Sequence, residues 1–276
     1  MAPQADDPGK GVAEGAAVRR YSGTMPTFPP LHQDLTFLAP LSDERADRLV
    51  GFLTDHEPAT VLDVGCGWAE LLLRVLAAAP SATGLGVDLD EEPLARARRV
   101  AAARGLDGRV TLETRDARRV SGPFDAVTCI GASQIWGPDV ADAQPLDYAA
   151  ALTALRALLP RGGRLVYGEG FWASSPTPAA VAPLSGRDDE YVALDRLVAL
   201  AEEHGFGVMA VHEASLDEWD AFESGFAAGW VRWSAEHEPD HPEAAEVRAR
   251  AARQHAAYLG GYRGVLGLAY LHLVAL

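Results

Sequence analysis

The segment that most constrains the fold runs from Val61 to Glu70 and reads VLDVGCGWAE. An apolar run ends in an acidic residue and a Gly-x-Gly turn, and a helical pattern starts directly afterwards. Gly65 and Gly67 allow the backbone to turn tightly and to approach a ligand without a Cβ in the way. The helix that follows offers unpaired N–H groups beside that ligand. The segment therefore predicts a strand, a ligand-binding turn and a helix.

The turn departs from the dinucleotide fingerprint G-x-G-x-x-G in two places. Its third position is Glu70, where helix–strand packing against a pyrophosphate site requires a small residue. It also has an acid, Asp63, two residues before the first glycine. Asp-x-Gly-x-Gly at the end of a first strand resembles motif I of the Rossmann-like, class I S-adenosylmethionine-dependent methyltransferases. That cofactor has a cationic sulfonium and an ammonium but no phosphate, so it suits a loop that carries acids.

Strand and helix patterns alternate along the chain, which indicates a parallel sheet with helices on both faces. The predicted strands are Thr60–Val64, Gly84–Asp88, Val110–Glu113, Phe124–Ile130, Arg164–Gly168, Gly207–Glu213 and Tyr270–Leu276. The predicted helices begin at Ser42, Glu70, Glu92, Leu146 and Tyr191. The expected fold is α/β, a Rossmann-like sheet of seven mostly parallel strands with an antiparallel last strand, an N-terminal cover and a helical lid insertion.

The domain organisation follows from composition. Residues 1–20 are rich in Ala, Gly, Asp and Pro, which predicts a flexible tail. Residues 21–276 are predicted to form one methyltransferase domain. In it, residues 21–58 form the cover, and residues 216–262 form a lid of two helices interrupted by two prolines.

Composition excludes several classes of function. A net charge of −15 and a pI near 4.9 argue against a nucleic-acid partner, which requires a basic face. No apolar run is long enough to span a membrane and no signal peptide is evident, so a cytoplasmic protein is expected. Lys10 is the only lysine, which excludes Schiff-base chemistry in the ordered part of the chain. The sequence does not indicate an oligomeric state.

In a doubly wound sheet the ligand lies beyond the carboxyl ends of the strands, so the residues there are the candidates. Asp88 ends the second strand, 21 residues after Gly67, and can accept hydrogen bonds from two ribose hydroxyls. Alternatively, it caps the next helix. Asp116 follows the third strand, and the resemblance implies a contact to the adenine amine; alternatively it is a surface acid. The predicted cofactor site comprises Asp63, Gly65, Cys66, Gly67, Asp88, Leu89, Asp116, Ala117, Ile130 and Gly131.

Candidates for the acceptor side follow the fourth and fifth strands. Ser133, Gln134 and Trp136 come after small residues that leave room for donor and acceptor to meet; Trp136 is alternatively loop packing. Glu169 lies between two glycines and precedes Trp172, and it is the candidate general base or orienting group. Its alternative is a hydrogen-bonded loop acid. His32, in the cover, is the next candidate base.

The predicted lid carries an aromatic stripe at spacings of three and four residues, which places its members on one helix face. The stripe comprises Trp219, Phe222, Phe226, Trp230 and Trp233. It is either the contact of the lid with the sheet or, through Trp219 and Trp230, part of an acceptor pocket. His237 and His241 lie in a proline-broken linker without further ligands at metal-site spacing, so no metal site is predicted.

Three further segments resemble a group of mostly uncharacterised bacterial small-molecule methyltransferases: residues 129–133, 168–172 and 217–220. The resemblance implies an enzyme that transfers a methyl group from S-adenosylmethionine to O, N or C of a small molecule. Two alternatives remain open. One is an enzyme of the same fold and cofactor with other chemistry, such as cyclisation of the methionine chain. The other is a non-catalytic module that binds the cofactor.

Overall fold

The structure, a computed structural model, describes His32, residues 34–137 and residues 145–276. The predicted tail over residues 1–20 and residues 21–31 of the predicted cover lie outside the described residues. Within them, the β-strands are β1 (Thr60–Val64), β2 (Thr83–Asp88), β3 (Val110–Thr114), β4 (Ala126–Ile130), β5 (Arg164–Trp172), β6 (Phe206–Glu213) and β7 (Leu266–Ala275). The α-helices are α1 (Asp43–Thr54), α2 (Glu70–Ala78), α3 (Glu91–Ala103), α4 (Tyr148–Ala157), α5 (Pro178–Val181), α6 (Leu194–Glu203), α7 (Leu216–Glu236) and α8 (Ala244–Ala257). A π-helical turn, Tyr258–Tyr262, joins α8 to the last strand.

The described strands form one sheet of seven in the order β3-β2-β1-β4-β5-β7-β6. Strand β7 is antiparallel to both of its neighbours, and the other pairs are parallel. The predicted α/β fold class, with its antiparallel last strand, is confirmed. The strand order reverses between β1 and β4, and this is where a doubly wound sheet binds its ligand.

Most helix boundaries were predicted to within about two residues. Ser42 caps α1 by accepting a hydrogen bond from the Arg45 N–H, and the acids at residues 43 and 44 lie in the first turn. This arrangement satisfies a free N–H and places negative charge at the positive end of the helix dipole. The predicted lid does contain two helices, α7 and α8, separated by residues 237–243. The short helix α5 was not predicted.

Strand β5 continues four residues beyond the predicted end at Gly168, so the expectation that Glu169 lies in a loop is wrong. A Cβ on Gly168 would lie 2.9 Å from Ile130, and one on Gly170 would lie 2.7 Å from the ring of Tyr191. Both glycines therefore permit close packing inside a strand. Because β5 is long, β7 is long as well, and it pairs with β5 from Leu266 to Val274.

One buried carboxylate joins the lid to the start of α1. Glu218, in the first turn of α7, accepts hydrogen bonds from Arg45 Nε at 2.9 Å and Nη2 at 2.8 Å. It also accepts from the backbone N–H and hydroxyl of Ser42 and from the backbone N–H of Ser215. These donors hold the pKa of Glu218 at about 2, against the opposing effect of burial. The lid is therefore attached to the body of the protein through a fully satisfied charge.

We expect Glu218→Gln to lower the free energy of unfolding by about 3 kcal/mol, because Arg45 would remain in place without its counter-charge. The pKa of Glu218 is depressed in the folded state, so its contribution is present above its ordinary pKa and is lost as the pH falls through the acid range. Urea unfolding of the wild type should show this loss, and the variant should lack it.

Glu44→Gln is the matched control. Glu44 pairs with Arg48 on the exposed surface of the same helix, α1, and such pairs contribute little. The free energy of unfolding of this variant should stay within about 0.5 kcal/mol of the wild type. Equal losses in the two variants would contradict the role given to Glu218.

Candidate functional site

The crevice at the strand-order reversal is lined by the turn after β1 and the turn after β4. Gly65 has a φ of 66°, and a Cβ there would lie 2.8 Å from the Cβ of Ala132. Any other residue would push the two turns apart. Gly67 also has a positive φ, of 51°. The glycines that the sequence singled out are thus required by backbone conformation and, at Gly65, by close approach.

Asp63 is buried at the carboxyl end of β1, with 7% of its surface exposed. Its Oδ1 accepts a hydrogen bond from the Thr128 hydroxyl at 2.6 Å. Burial raises the pKa of Asp63 to about 7, the negative charge of Asp88 acts in the same direction, and the Thr128 hydrogen bond opposes both. The described residues place no arginine or lysine in a salt bridge with Asp63. A cationic ligand would therefore be stabilised here.

Asp88 lies at the carboxyl end of β2, next to the glycine turn. Its Oδ2 accepts a hydrogen bond from the Gly67 N–H at 2.8 Å, and its Oδ1 accepts one from the Asp90 N–H at 3.0 Å. Asp90, and not Asp88, caps α3 by accepting from the Glu92 N–H. The alternative role of Asp88 as a helix cap is therefore wrong. Each oxygen of Asp88 keeps a lone pair for a further donor.

Asp116 and its neighbours are placed differently. Asp116 follows β3 and forms a bidentate ion pair with Arg118, whose Nε donates to Oδ1 at 3.1 Å and whose Nη2 donates to Oδ2 at 2.8 Å. It also caps the 3-10 turn that begins at Ala117, and the hydrogen bonds from Arg118 lower its pKa. Leu89 is 51% exposed, whereas Ala117 is buried. An adenine amine would therefore share Asp116 with Arg118.

Glu169 is buried inside β5, level with the turn after β4. Its Oε1 accepts a hydrogen bond from the Gly170 N–H at 2.9 Å, and its Oε2 accepts one from the Ser133 N–H at 3.1 Å. Burial raises its pKa, although these hydrogen bonds oppose the shift. Ser133 shares a further hydrogen bond of 2.5 Å with the hydroxyl of Tyr167. The carboxylate thus fixes the turn that carries Ser133.

The remaining candidates near this turn differ in how far they are exposed to solvent. Ile130 is half-buried, and Gly131 is exposed with a φ of 62°. The Gln134 amide donates to the carbonyl of Gly131 at 3.2 Å. Trp136 is half-buried against the core. Cys66 is half-buried, and burial raises the pKa of its thiol, so it does not supply a thiolate.

Besides Trp136, three tryptophans were predicted for substrate binding, and each of them makes different contacts. Trp172 ends β5, and its indole N–H donates to the carbonyl of Asp188 at 2.7 Å. Trp219 is buried in the main core, and its Nε1 has no hydrogen-bond partner among the described residues. Trp230 lies in a separate small core inside the lid, with Trp233, Ala227 and two residues of α8. The aromatic stripe of α7 therefore serves two different contacts.

His32 lies between the glycine turn and the lid. Its ring is 5.1 Å from that of Phe226 and 6.0 Å from that of Trp68. Burial lowers its pKa, and the charge of Arg96 adds to the effect. The neutral imidazole is thus favoured, and its Nδ1 is buried without a partner among the described residues.

The sequence analysis missed two buried residues of the lid, Glu223 and Tyr262. Glu223 lies in the stripe of α7 and is 3% exposed, and its Oε1 accepts a hydrogen bond from the hydroxyl of Tyr262 at 2.8 Å. Burial raises the pKa of Glu223 to about 7. The available indication was its position four residues after Trp219, on the same apolar helix face.

Neither a metal site nor a membrane span emerges from the described part of the chain. His32, residues 34–137 and residues 145–276 contain no group of three potential ligands, and His237 is instead stacked on Trp233. In the same ranges, no helix is long and apolar enough to cross a bilayer.

Residues 61–163 match the family described as "Methyltransferase domain". The demethylmenaquinone methyltransferase of Thermus thermophilus is 36% identical to the chain over 149 residues, covering 53% of this chain and 62% of that protein. Methyltransferase ungE' of Aspergillus campestris is 29% identical over 66% of the chain and 51% of its own length. The chain thus spans about half to three fifths of the length of these curated relatives.

A solved structure extends the similarity over most of the fold. The S-adenosylmethionine-dependent methyltransferase of Thiobacillus denitrificans, in complex with S-adenosylhomocysteine, is 28% identical with a TM-score of 0.75. The match covers 89% of this chain and 96% of that one. The motif I turn, the strand order and these similarities agree. Residues 61–163 thus match a methyltransferase domain, and the whole fold is similar to that of the class I, Rossmann-like S-adenosylmethionine-dependent methyltransferases.

Proposed function

We propose that the protein transfers a methyl group from S-adenosylmethionine to a small-molecule acceptor. The observation that carries the proposal is the pair of acids, Asp63 and Asp88, on the two sides of the glycine turn at the strand-order reversal. Asp63 is buried without a cation, and Asp88 retains acceptor capacity. A ligand that combines positive charge with vicinal hydroxyls fits these groups, whereas a pyrophosphate does not.

The cofactor, when bound, supplies an activated methyl group, so the protein has mainly to align donor and acceptor and exclude water. The Asp63 carboxylate would attract the cationic methionine part, and Asp88 would accept from the ribose hydroxyls. Asp116 would accept from the adenine amine, if the side chain of Arg118 gives way.

On the acceptor side, we propose that Glu169 orients and does not act as a base. Both of its oxygens already accept backbone N–H groups, and one of these belongs to Ser133. Its carboxylate would hold the turn of Ser133, Gln134 and Trp136 in position beside the methyl group. The small residues at the end of β4 leave room there for donor and acceptor to meet.

The remaining expectations belong to the same proposal. Residues 21–276 would form one methyltransferase domain, working in the cytoplasm in small-molecule metabolism. The net charge of −15 favours a small-molecule acceptor over a nucleic acid. The names of the relatives above support the reaction class and leave the acceptor open.

The test is calorimetric titration of the purified protein with S-adenosylhomocysteine, followed by incubation of S-adenosylmethionine with metabolite pools and mass analysis. Saturable binding and a methylated product, together with S-adenosylhomocysteine, are expected. Methylthioadenosine as the product would instead indicate cyclisation of the methionine chain. Binding without any turned-over acceptor would favour a cofactor-binding module.

We expect Asp88→Ala to weaken S-adenosylhomocysteine binding by about 1–3 kcal/mol, because ribose hydroxyls would lose their acceptor. Asp90→Ala is the matched control: it removes the cap of α3 two residues away but no cofactor contact. Its affinity should stay near the wild type, although its melting temperature should fall. Equal affinities for both variants would refute the ribose role.

Asp63 predicts a pH dependence of cofactor affinity. Its pKa of about 7 means that the carboxyl is mostly protonated at pH 6, and a cationic ligand binds the ionised form better. The affinity for S-adenosylmethionine should therefore rise by up to about tenfold per pH unit below pH 7 and level off above it. Calorimetry on Asp63→Asn should show a flat dependence over this range. A slope that persists in the variant would assign the titration to another group.

Glu169→Gln should reduce turnover by roughly 10²-fold with little change in cofactor affinity, because a displaced turn misaligns the acceptor. Its melting temperature should fall as well, since one backbone N–H would then face an amide NH2 group. Asp125→Asn is the control, because Asp125 accepts from the backbone N–H groups of residues 59 and 60 at the opposite edge of the sheet. That variant should lose stability but keep its turnover; equal turnover losses would leave Glu169 a purely structural residue.

A further inference from the structure

The lid contains a buried carboxylate that the proposed function does not use. Glu223 accepts hydrogen bonds from the Tyr262 hydroxyl, at 2.8 Å, and from the side-chain amide of Gln254. Neither donor is a cation, and Glu223 forms no ion pair within the described residues. A buried acid without a counter-charge is costly for a purely structural contact, and such groups concentrate at functional sites.

A second tyrosine–carboxylate pair in the same hairpin provides the comparison. Asp220, nearly one turn earlier on α7, accepts from the hydroxyl of Tyr258 at 2.7 Å and forms two hydrogen bonds with Arg263. The guanidinium of Arg263 holds the pKa of Asp220 at about 2. Glu223 lacks such a cation, and its pKa is raised to about 7 by burial. Glu223 alone of the two can therefore take up a proton near neutral pH.

The position of Tyr262 connects this pair to the candidate site. The π-helical turn directly precedes β7, whose first residue, Leu266, pairs with Trp172 at the end of β5. A Cβ on Gly261 would lie 2.8 Å from the carbonyl of Ala179, so the turn rests on the segment that follows β5. Tyr262 therefore lies beyond the carboxyl end of the strand that carries Glu169.

The surroundings of the pair are aromatic and contain an unused donor. The ring of Trp219 lies 6.3 Å from that of Tyr262 and 6.2 Å from that of Phe222. Trp219 is only 5% exposed, yet its indole N–H has no partner in the described part of the chain. A ligand oxygen would satisfy it. These residues bring no positive charge that would stabilise an anionic acceptor, so an uncharged planar acceptor is favoured over an anionic one.

We propose that Tyr262, backed by Glu223, accepts the hydroxyl proton of an uncharged aromatic or enolic alcohol as that oxygen is methylated. The inference rests on the proposed methyl transfer. The acceptor O–H bond breaks and its electron pair forms the O–CH3 bond, while the S–CH3 electron pair remains on sulfur. The acceptor proton passes to the oxygen of Tyr262, and the phenolic proton of Tyr262 passes to Glu223. Glu223 releases it to water after the methyl ether leaves.

In this scheme Tyr262 touches the acceptor, and Glu223 is a positioning residue that acts through it. The carboxyl must be ionised to receive the proton. The groups that face it are Tyr262 and Tyr258 from the π-helical turn, Gln254 from α8, and Asp220 with its partner Arg263. Asp220 stays ionised and paired across the neutral range, so among the groups of the lid a transition near pH 7 belongs to Glu223, and saturation with the cofactor separates it from the transition of Asp63.

The first test measures how tightly two ligands, 2-naphthol and its methyl ether 2-methoxynaphthalene, bind to protein saturated with S-adenosylhomocysteine. Binding is followed by the change in tryptophan fluorescence. Above pH 7 the wild type should bind the naphthol at least fivefold more tightly, because only the naphthol donates a hydrogen bond. Glu223→Gln and Tyr262→Phe should abolish this preference, and Asp220→Asn should retain it. Equal binding of both probes by the wild type, or a preference that survives in Glu223→Gln, would overturn the proposal.

The second test follows methylation of 2-naphthol by mass analysis as a function of pH. At saturating S-adenosylmethionine, where the pH dependence of cofactor affinity at Asp63 no longer limits the rate, turnover in the wild type and in Asp220→Asn should rise about tenfold from pH 6 to pH 8 and then level off. Glu223→Gln should be slow and should show no such rise. If the wild type did not bind S-adenosylhomocysteine at all, the methyltransferase proposal itself would be refuted. This outcome is distinguishable from a failure of the role given to Tyr262 and Glu223.

Discussion

The burial of negative charge at one edge of the sheet is the constraint on which this structure depends. Among the described residues, four carboxylates are buried: Asp63, Glu169, Glu218 and Glu223. All four lie at the carboxyl ends of the strands or in the lid that covers them. Only Glu218 has a cation, Arg45, and only its pKa is depressed. The other three have raised pKa values because neutral donors offset only part of the desolvation cost.

The paired carboxylate, Glu218, holds the lid in place, whereas the other three are buried without a cation. Glu218 fastens α7 to the start of α1. About two turns further along α7, Gly225 allows Leu35 of the cover to lie directly against the helix. From there the rings of Phe226, His32 and Trp68 make successive contacts and reach the glycine turn. Arg96 lies over Trp68 and donates to the carbonyls of residues 32 and 35. The described part of the cover, the lid and the glycine turn thus pack against one another through continuous side-chain contacts.

The fold was largely predictable because it is encoded locally. The alternation of strand and helix patterns, the cap at Ser42 and the turn at residues 65–67 each depend on a few neighbouring residues. The end of β5 was not predictable in this way: Gly168 and Gly170 suggested a loop, whereas their purpose is contact with Ile130 and Tyr191, distant in sequence. The Glu218–Arg45 pair joins residues 173 positions apart, and no local pattern indicates it.

The candidate site was predictable in part for the same reason. Asp63 and Asp88 lie at the carboxyl ends of two neighbouring parallel strands, so their approach to each other is dictated by the parallel sheet. Glu223 is hydrogen-bonded by two neutral donors, Tyr262 and Gln254, which lie in α8 and the π-helical turn and are distant from it in sequence. The aromatic spacing of α7 alone could therefore not show that Glu223 is buried without a cation. Trp230 has the same spacing as Trp219, yet it packs inside the hairpin because α8 covers that part of α7.

The uncompensated acids also determine how stability and ligand binding are related. A carboxyl whose pKa is raised in the folded state contributes stability at acid pH and loses that contribution as the pH rises through the folded pKa. At neutral pH, Asp63 and Glu223 are therefore in the range where ionisation destabilises the empty protein. A cation beside Asp63 would recover part of that free energy, because it stabilises the ionised form. The same residues that weaken the empty fold would thus favour a positively charged ligand, and Glu218, fully paired, keeps the lid attached whether or not that ligand is bound.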